Sequence, residues 1–343
     1  MYILKFIKKY TFTIIFSLFL LLLILYSNSN LQAAKQGMLL WCSSVVPSLF
    51  PFFVATELLN HTNTAYLFGR AFHKVMRPLF NVPGEGSYAL IMGFISGYPV
   101  GAKIVSDFYD NKVCTKDEAE RMLAFTNNSG PLFIIGTVGI ALFGSSDIGA
   151  LLLVTHIFSS LTVGIIYGIY SRYKSRLTRS IEFQNTSPAN TYVDISNLGD
   201  ILSFSIRKSI STVLQIGGFV VLFSVILSIL STSGFINGVS IVAENLGIPS
   251  NISNGLIRGF IELTNGLKYT SNIHLKNISL NIILCAFLLG FGGISIMLQV
   301  LSVITKYKLS IKKYFYGKIL QGLIAAAYTA IIINFIPIFN LNI

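Results

Sequence analysis

Two charged side chains lie inside apolar stretches of the sequence, Lys103 and Glu262. A charge at the centre of a membrane helix costs about 2.5–3.5 kcal/mol on insertion scales, so it faces a cavity or a partner. Each sits in a run that interrupts a helix. Lys103 ends Gly93-Phe-Ile-Ser-Gly-Tyr-Pro-Val-Gly-Ala-Lys103, and Glu262 opens Glu262-Leu-Thr-Asn-Gly266. Glycine favours turns and proline removes a backbone donor, so neither run continues as an ordinary spanning helix. Two more apolar segments are broken in the same way, at Thr126-Asn-Asn-Ser-Gly-Pro131 and at Gly290-Phe-Gly-Gly-Ile-Ser295.

A broken helix presents unpaired amides on one side of the gap, which attract anions. On the other side it presents carbonyls, which can hold a cation. If the breaks converge, they form a solute site. The candidate residues are Ser96, Gly97, Tyr98 and Lys103 from the first break, and Thr126, Asn127, Asn128 and Ser129 from the next. Glu262, Thr264 and Asn265 come from the third, and Ser295 and Gln299 from the fourth. Lys103 is expected to meet an anionic solute, and Glu262 to bind solute, proton or sodium. The competing expectation pairs Lys103 and Glu262 with each other or with backbone, or lets Lys103 snorkel toward the cytoplasmic face. Asn127 and Asn128 serve equally well as helix caps.

The elements that must position these residues follow from composition. The 343-residue chain is 53% hydrophobic and 11% charged, with mean hydropathy +0.70. Its long continuous apolar runs predict an all-α polytopic membrane protein rather than a soluble domain or a β-barrel. The net charge of +12 does not indicate nucleic acid. The basic residues gather between apolar runs, where they set membrane orientation. Three scattered cysteines and four scattered histidines give neither a disulfide framework nor a metal spacing. No nucleophile-and-base pairing or phosphate loop is present, so no enzyme activity and no resident cofactor is expected.

Residues 1–36 are expected to form an N-terminal transmembrane anchor with a cytoplasmic N-terminus. Thr11–Tyr26 reads as an uncleaved span, because the polar Ser27-Asn-Ser-Asn follows it instead of a small-residue cleavage pattern. A first repeat, 37–180, then runs through a kinked span and a basic amphipathic segment, Tyr66–Phe80. A hairpin, Ser87–Phe108, a broken span and a plain span, Ile148–Tyr170, complete it. Thr115-Lys-Asp-Glu118 is an expected capping box at the start of the broken span. A cytoplasmic linker, 181–209, leads to a second repeat, 210–343. It has the same order: a span, an amphipathic segment, a hairpin (Ser253–Thr270), an interrupted span and a last span.

An odd number of crossings per half inverts the second repeat. The first hairpin then re-enters from inside and the second from outside. The basic clusters at Arg70–Arg77, Arg172–Arg179 and Lys306–Lys313 all fall on the cytoplasmic face. Inverted repeats with paired discontinuous helices are the mark of secondary transporters.

At these motifs the chain resembles a known family. The runs Val75-Met-Arg-Pro-Leu-Phe-Asn-Val-Pro-Gly84, Met92 through Lys103, and Ala124-Phe-Thr-Asn-Asn-Ser-Gly-Pro-Leu-Phe133 are similar to the YlbJ/SpoVV family of sporulation integral membrane proteins. Ile216-Gly-Gly-Phe219, Phe260-Ile-Glu-Leu-Thr-Asn-Gly266 and Leu289-Gly-Phe-Gly-Gly-Ile-Ser295, with Gln299, fit its second half. Such proteins contain nucleoside-recognition gate segments and are distantly similar to concentrative nucleoside transporters. The resemblance implies two hairpins and two broken helices around a solute site.

It also implies a role in endospore formation, in the outer forespore membrane, moving dipicolinate from mother cell toward forespore. Lys103 and exposed amides suit that small dianion, and Tyr98 suits its ring. Distant nucleoside carriers have a Gln-Thr-Glu run where this chain has Ser96-Gly-Tyr-Pro99, which argues against nucleosides and leaves the coupling ion, sodium or proton, open. Glu262 matches the acidic position expected in the second hairpin. A nucleoside-type carrier and a non-transporting sporulation scaffold stay as alternatives. The expected partners are the small anion and the lipid bilayer, with homo-oligomerisation open.

Overall fold

The computed structural model describes residues 2–62, 64–175, 197–273 and 278–335. Most of the expected linker, with Arg176 and Arg179, lies outside the described residues, as does the end of the last expected span. The described residues are helical throughout, without a strand. Among the described residues four helical segments are long and apolar enough to cross a membrane: Ser146–Lys174, Leu198–Thr232, Ile278–Tyr307 and Lys312–Phe335. A bent pair, Tyr10–Leu25 with Ser27–Ser43, brings the number to as many as five.

The chain begins with α1 (Tyr2–Leu25) and turns by 96° into α2 (Ser27–Leu40). Asn30 supports the corner. Its amide donates to the Leu22 and Leu23 carbonyls in the last turn of α1 at 3.2 and 3.3 Å, the Leu22 carbonyl also accepting from the Tyr26 amide at 3.0 Å. The corner therefore falls at Tyr26, where the expected span Thr11–Tyr26 ends. Beyond it the chain stays helical through a π-helical turn (Trp41–Val45) into α3 (Val46–Asn60), despite Pro47 and Pro51.

The amphipathic α4 (Thr64–Phe80) follows. Next come α5 (Gly86–Ser96) and α6 (Val100–Asp110), the two arms of the first hairpin. Each arm has 11 residues, about 16 Å of helix, roughly half the hydrocarbon thickness. The first broken span is α7 (Lys116–Thr126) followed by a π-helical segment (Leu132–Leu142). The expected capping box starts it: Thr115 Oγ1 accepts from the Glu118 amide at 3.2 Å, and Glu118 Oε2 accepts from the Thr115 amide at 2.9 Å. The long α8 (Ser146–Ser175) completes this half.

The second half opens with α9 (Leu198–Thr232), a 35-residue helix that begins ahead of the expected boundary at 210. It continues through α10 (Phe235–Asn245), then α11 (Ser250–Ile261) and α12 (Leu263–Ser271), the arms of the second hairpin. Then come α13 (Ile278–Phe291), α14 (Gly293–Ile304) and α15 (Lys312–Phe335). The break between α13 and α14 is tight. Gly292 and Gly293 both have φ +84, a left-handed backbone that only glycine adopts at little cost.

Hairpin and broken span are keyed together by missing side chains. The Thr126 carbonyl, at the end of α7, is wedged between Gly93 and Gly101 on the two hairpin arms. A Cβ on either would lie 1.7 or 2.2 Å from that oxygen. One buried cluster, with Tyr88, Phe108, Met122, Phe125 and Tyr314, surrounds the first hairpin. A second, with Leu267, Ile282, Leu288 and Leu289, packs the other hairpin against α13. Large apolar side chains such as Phe158, Leu214 and Leu323 face outward, as lipid-facing positions do.

The three basic clusters meet at one end of the molecule. Arg77 pairs with Glu118 at 2.7 Å, Lys313 pairs with Asp117, and Arg172 donates to the Pro78 carbonyl. Arg121 closes the group with bonds to the Asn81 carbonyl and Ser171 at 2.7 and 2.6 Å.

Candidate functional site

All four helix breaks contribute to a single cavity of about 90 Å³. The first hairpin supplies Gly97 and Tyr98 from its turn, where Gly97 has φ +77 and the Tyr98–Pro99 peptide is cis. The first broken span supplies Ser129, Gly130 and Phe133; the second hairpin supplies Glu262, Leu263 and Thr264. Ser295, Ile296 and Gln299 come from α14. Leu40, Val45 and Leu49, together with Ile216 and Val220 of α9, close it with apolar walls.

Seven of the residues expected from the sequence therefore share this cavity: Gly97, Tyr98, Ser129, Glu262, Thr264, Ser295 and Gln299. Its polar groups are largely uncommitted. The Tyr98 and Ser129 hydroxyls are buried and face each other, outside strict hydrogen-bond geometry and with no other partner. Among the described residues no hydrogen bond engages the side chains of Thr264, Ser295 or Gln299. A buried polar group without a partner costs about 1–3 kcal/mol, so this set is poised to accept a polar solute.

Glu262 has a structural task as well. It is the only residue between α11 and α12, in extended conformation. Its carboxylate accepts from the Thr264 and Asn265 amides at 3.1 and 2.8 Å and from Asn265 Nδ2 at 2.8 Å. It thus caps α12, where a negative charge is favoured by the helix dipole. No ion pair joins it to Lys103 among the described residues.

The other expected residues lie outside the cavity lining, each for an identifiable reason. Lys103 is one turn past the hairpin tip and points to α3, where it pairs with Glu57 at 2.9 Å; Lys208 of α9 pairs with the other oxygen of Glu57. Ser96 shares a hydrogen with Thr56 at 2.9 Å. Thr126 donates to the Met122 carbonyl at 2.8 Å, within its own helix. Asn127 accepts from the Ala102 amide at 3.3 Å and donates to the Tyr314 hydroxyl at 3.2 Å, stitching the broken span to the hairpin. Asn128 donates to the Phe125 carbonyl and Ser160 at 2.8 and 3.1 Å. Asn265 binds Glu262 and faces away into a separate cleft.

The sequence reading missed a buried polar layer behind the cavity. Lys318 of α15 is fully buried, and no carboxylate pairs with it among the described residues. Its ammonium donates to Gln321 Oε1 at 2.7 Å and to Asn128 Oδ1 at 3.2 Å, and stands 5.4 Å from the Tyr98 ring centre. Tyr98 lines the cavity and has Lys318 over its ring face. His156 of α8 is also buried and accepts from the Ser129 amide at 3.3 Å, with Nδ1 unpartnered. A lone lysine seven residues into a final span was the available signal; a neighbouring basic cluster at 306–313 masked it.

Position along α9 orders these features. Lys208 meets Glu57, Ile216 and Val220 line the cavity, and Ser224, Ser228 and Ser231 line a polar cleft beyond. The 23 steps from Lys208 to Ser231 cover about 35 Å at 1.5 Å per residue, a full bilayer core. The cavity thus lies midway between an ion-paired end and an open polar end.

A family model described as "Gate: Nucleoside recognition" matches residues 42–171, which carry the first hairpin and first broken span. The sporulation integral membrane protein YlbJ of Bacillus subtilis (strain 168) is 32% identical over 341 residues, covering 95% of this chain and 83% of the relative. The resemblance read from the motifs is thereby borne out. No solved structure matches the chain.

Proposed function

This chain belongs to the family of the sporulation integral membrane protein YlbJ, and on that premise we propose that it is a membrane transporter of a small anionic solute. The observation that carries the proposal is the meeting of four interrupted helices in one buried cavity with unspent polar groups. Discontinuous helices that converge near the midplane are how secondary transporters hold a solute away from lipid.

The two halves act as inverted repeats, with both hairpins re-entrant and the N-terminus cytoplasmic. The solute of choice is dipicolinate, carried from mother cell toward forespore across the outer forespore membrane. The Tyr98 ring offers a stacking face, and Lys318 beside it offsets negative charge. Glu262 is the place for a coupling proton or sodium ion. Alternating access moves the hairpins about the cavity. At about 90 Å³ the cavity is smaller than the roughly 300 Å³ at which ligand pockets begin, so the described form is contracted. The Lys103–Glu57–Lys208 cluster holds one end shut.

The gate-family match favours a second reading, a nucleoside-type solute. Purified protein in lipid vesicles, offered labelled dipicolinate and labelled uridine with sodium and pH varied separately, decides between them. Dipicolinate uptake above protein-free vesicles is the expected result. Uridine uptake alone would replace the solute, and uptake of neither would leave a non-transporting membrane scaffold.

A further inference from the structure

Beyond the cavity, on the side of α9 away from Lys208, two polar clefts of about 420 and 600 Å³ share Arg258 and Asn265. One runs between the polar start of α2, the Ser224–Ser231 face of α9 and the second hairpin; the other lies over the ends of that hairpin. Their linings contain two cations, Arg258 and Lys268, and no carboxylate.

Arg258 is uncommitted. Among the described residues no hydrogen bond or ion pair engages its guanidinium, and its Nε is buried without a partner. The group nevertheless has a neighbour that holds it: its Cζ lies over the Tyr269 ring, 5.0 Å from the ring centre, within range of the attraction between a cation and a ring face. A planar fork of five donors with no acceptor is a site for a carboxylate, which it binds bidentately. Ser231 adds a second orphan, a buried hydroxyl without a partner at the wall of the same cleft. Asn265 joins the clefts to the inner site, since its amide binds Glu262, which lines the cavity.

We propose that Arg258, with Asn265 and the Ser228–Ser231 wall, is an outer binding site for a small carboxylate anion. The anion docks there after it leaves the cavity past Glu262, on the side toward the forespore. This deepens the transport reading and rests on it for that route. Arg258 then takes the cationic role that the sequence assigned to Lys103, whose charge is spent on Glu57.

The test reads the cleft without reading transport. Single cysteines are placed on opposite walls, Ser228→Cys and Gln32→Cys, in a Cys42→Ser background, Cys114 and Cys285 being buried. Their modification rates by an anionic and a cationic methanethiosulfonate are compared, each normalised to a free thiol in solution. A nearby uncompensated cation favours the anionic reagent by roughly fivefold or more. Arg258→Gln is expected to abolish that preference, Arg258→Lys to keep part of it, and isophthalate to slow modification only where Arg258 is present. Four outcomes overturn the proposal: no anionic preference, a preference that survives Arg258→Gln, no protection by isophthalate, or no reaction at either cysteine. Should dipicolinate uptake fail while the preference and the protection stand, the transport reading falls and the anion site remains.

Discussion

Replacing Lys103 by alanine separates a solute contact from a structural ion pair. Lys103 lies 2.9 Å from Glu57, with side chains 23% and 5% exposed. A charge-assisted hydrogen bond contributes about 1.5–3 kcal/mol. Lys103 is partly hydrated and Glu57 keeps Lys208 as a second partner, so the lower end applies, about 1.5 kcal/mol. In a chain of this size that lowers the melting temperature by a few degrees. Glu57→Gln is expected to be worse. It leaves two ammonium groups facing each other without their shared anion; after discounting for the exposure of Lys208 the cost is roughly 2–4 kcal/mol. Lys103→Met, which keeps the aliphatic stem, falls nearer wild type. In vesicles Lys103→Ala changes the maximal uptake rate, because the closed end loosens, while half-saturation stays within about twofold. The assay pairs thermal unfolding in detergent with uptake kinetics. An unchanged melting temperature with half-saturation raised about tenfold, or 1.4 kcal/mol, would refute the reasoning and return Lys103 to the solute.

Tyr98→Phe removes a buried hydroxyl that faces only the Ser129 hydroxyl, so any loss of stability should stay within about 1 kcal/mol, the net worth of one neutral hydrogen bond; lost solute affinity within that limit would mark Tyr98 as a contact, and a larger loss of stability would make it a structural residue. Gly93→Ala forces a Cβ to 1.7 Å from the Thr126 carbonyl and should cost about 3 kcal/mol or more; Gly218→Ala, with open space around it, serves as the tolerated control, and equal yields of folded protein from both would contradict the wedge. Glu262→Ala should cost about 1–2 kcal/mol through loss of the α12 cap, with Glu262→Gln closer to wild type in stability; if both abolish sodium or proton dependence of uptake, Glu262 is the coupling site. Lys318→Met should retain fold but lose stability by about 1–3 kcal/mol, since Gln321 loses its donor, and should weaken anion uptake more than uptake of a neutral solute; indifference of both uptakes would confine Lys318 to structure.

What the sequence decided by itself was where helices stop. Gly97 with Pro99, the Asn127–Pro131 run, Glu262 and Gly292-Gly293 each violate helix chemistry locally, by a missing donor, a competing side chain or a left-handed backbone. Such violations are visible at one position without knowledge of neighbours, so all four breaks stand where the residues put them. The capping box at Thr115 was legible for the same reason, whereas the shared face of the three basic clusters was read from the order of the apolar runs between them.

Partnership was not legible, because it depends on rotation about a helix axis and on contacts far apart in the chain. One turn of α6 carries Lys103 from the hairpin tip to Glu57, 46 residues away in sequence. Only packing shows that Asn127 and Asn128 are spent on Tyr314, Phe125 and Ser160 while Ser129 is left for the cavity. Lys318 sits in a run that looks like a plain span, and its burial beside Tyr98 exists only once α15 lies against α7 and α8. Arg258 is an unremarkable hairpin residue until Tyr269 comes beneath it and every carboxylate is elsewhere. Local chemistry fixes the interruptions; only the folded chain assigns which charges are neutralised and which remain available to a solute.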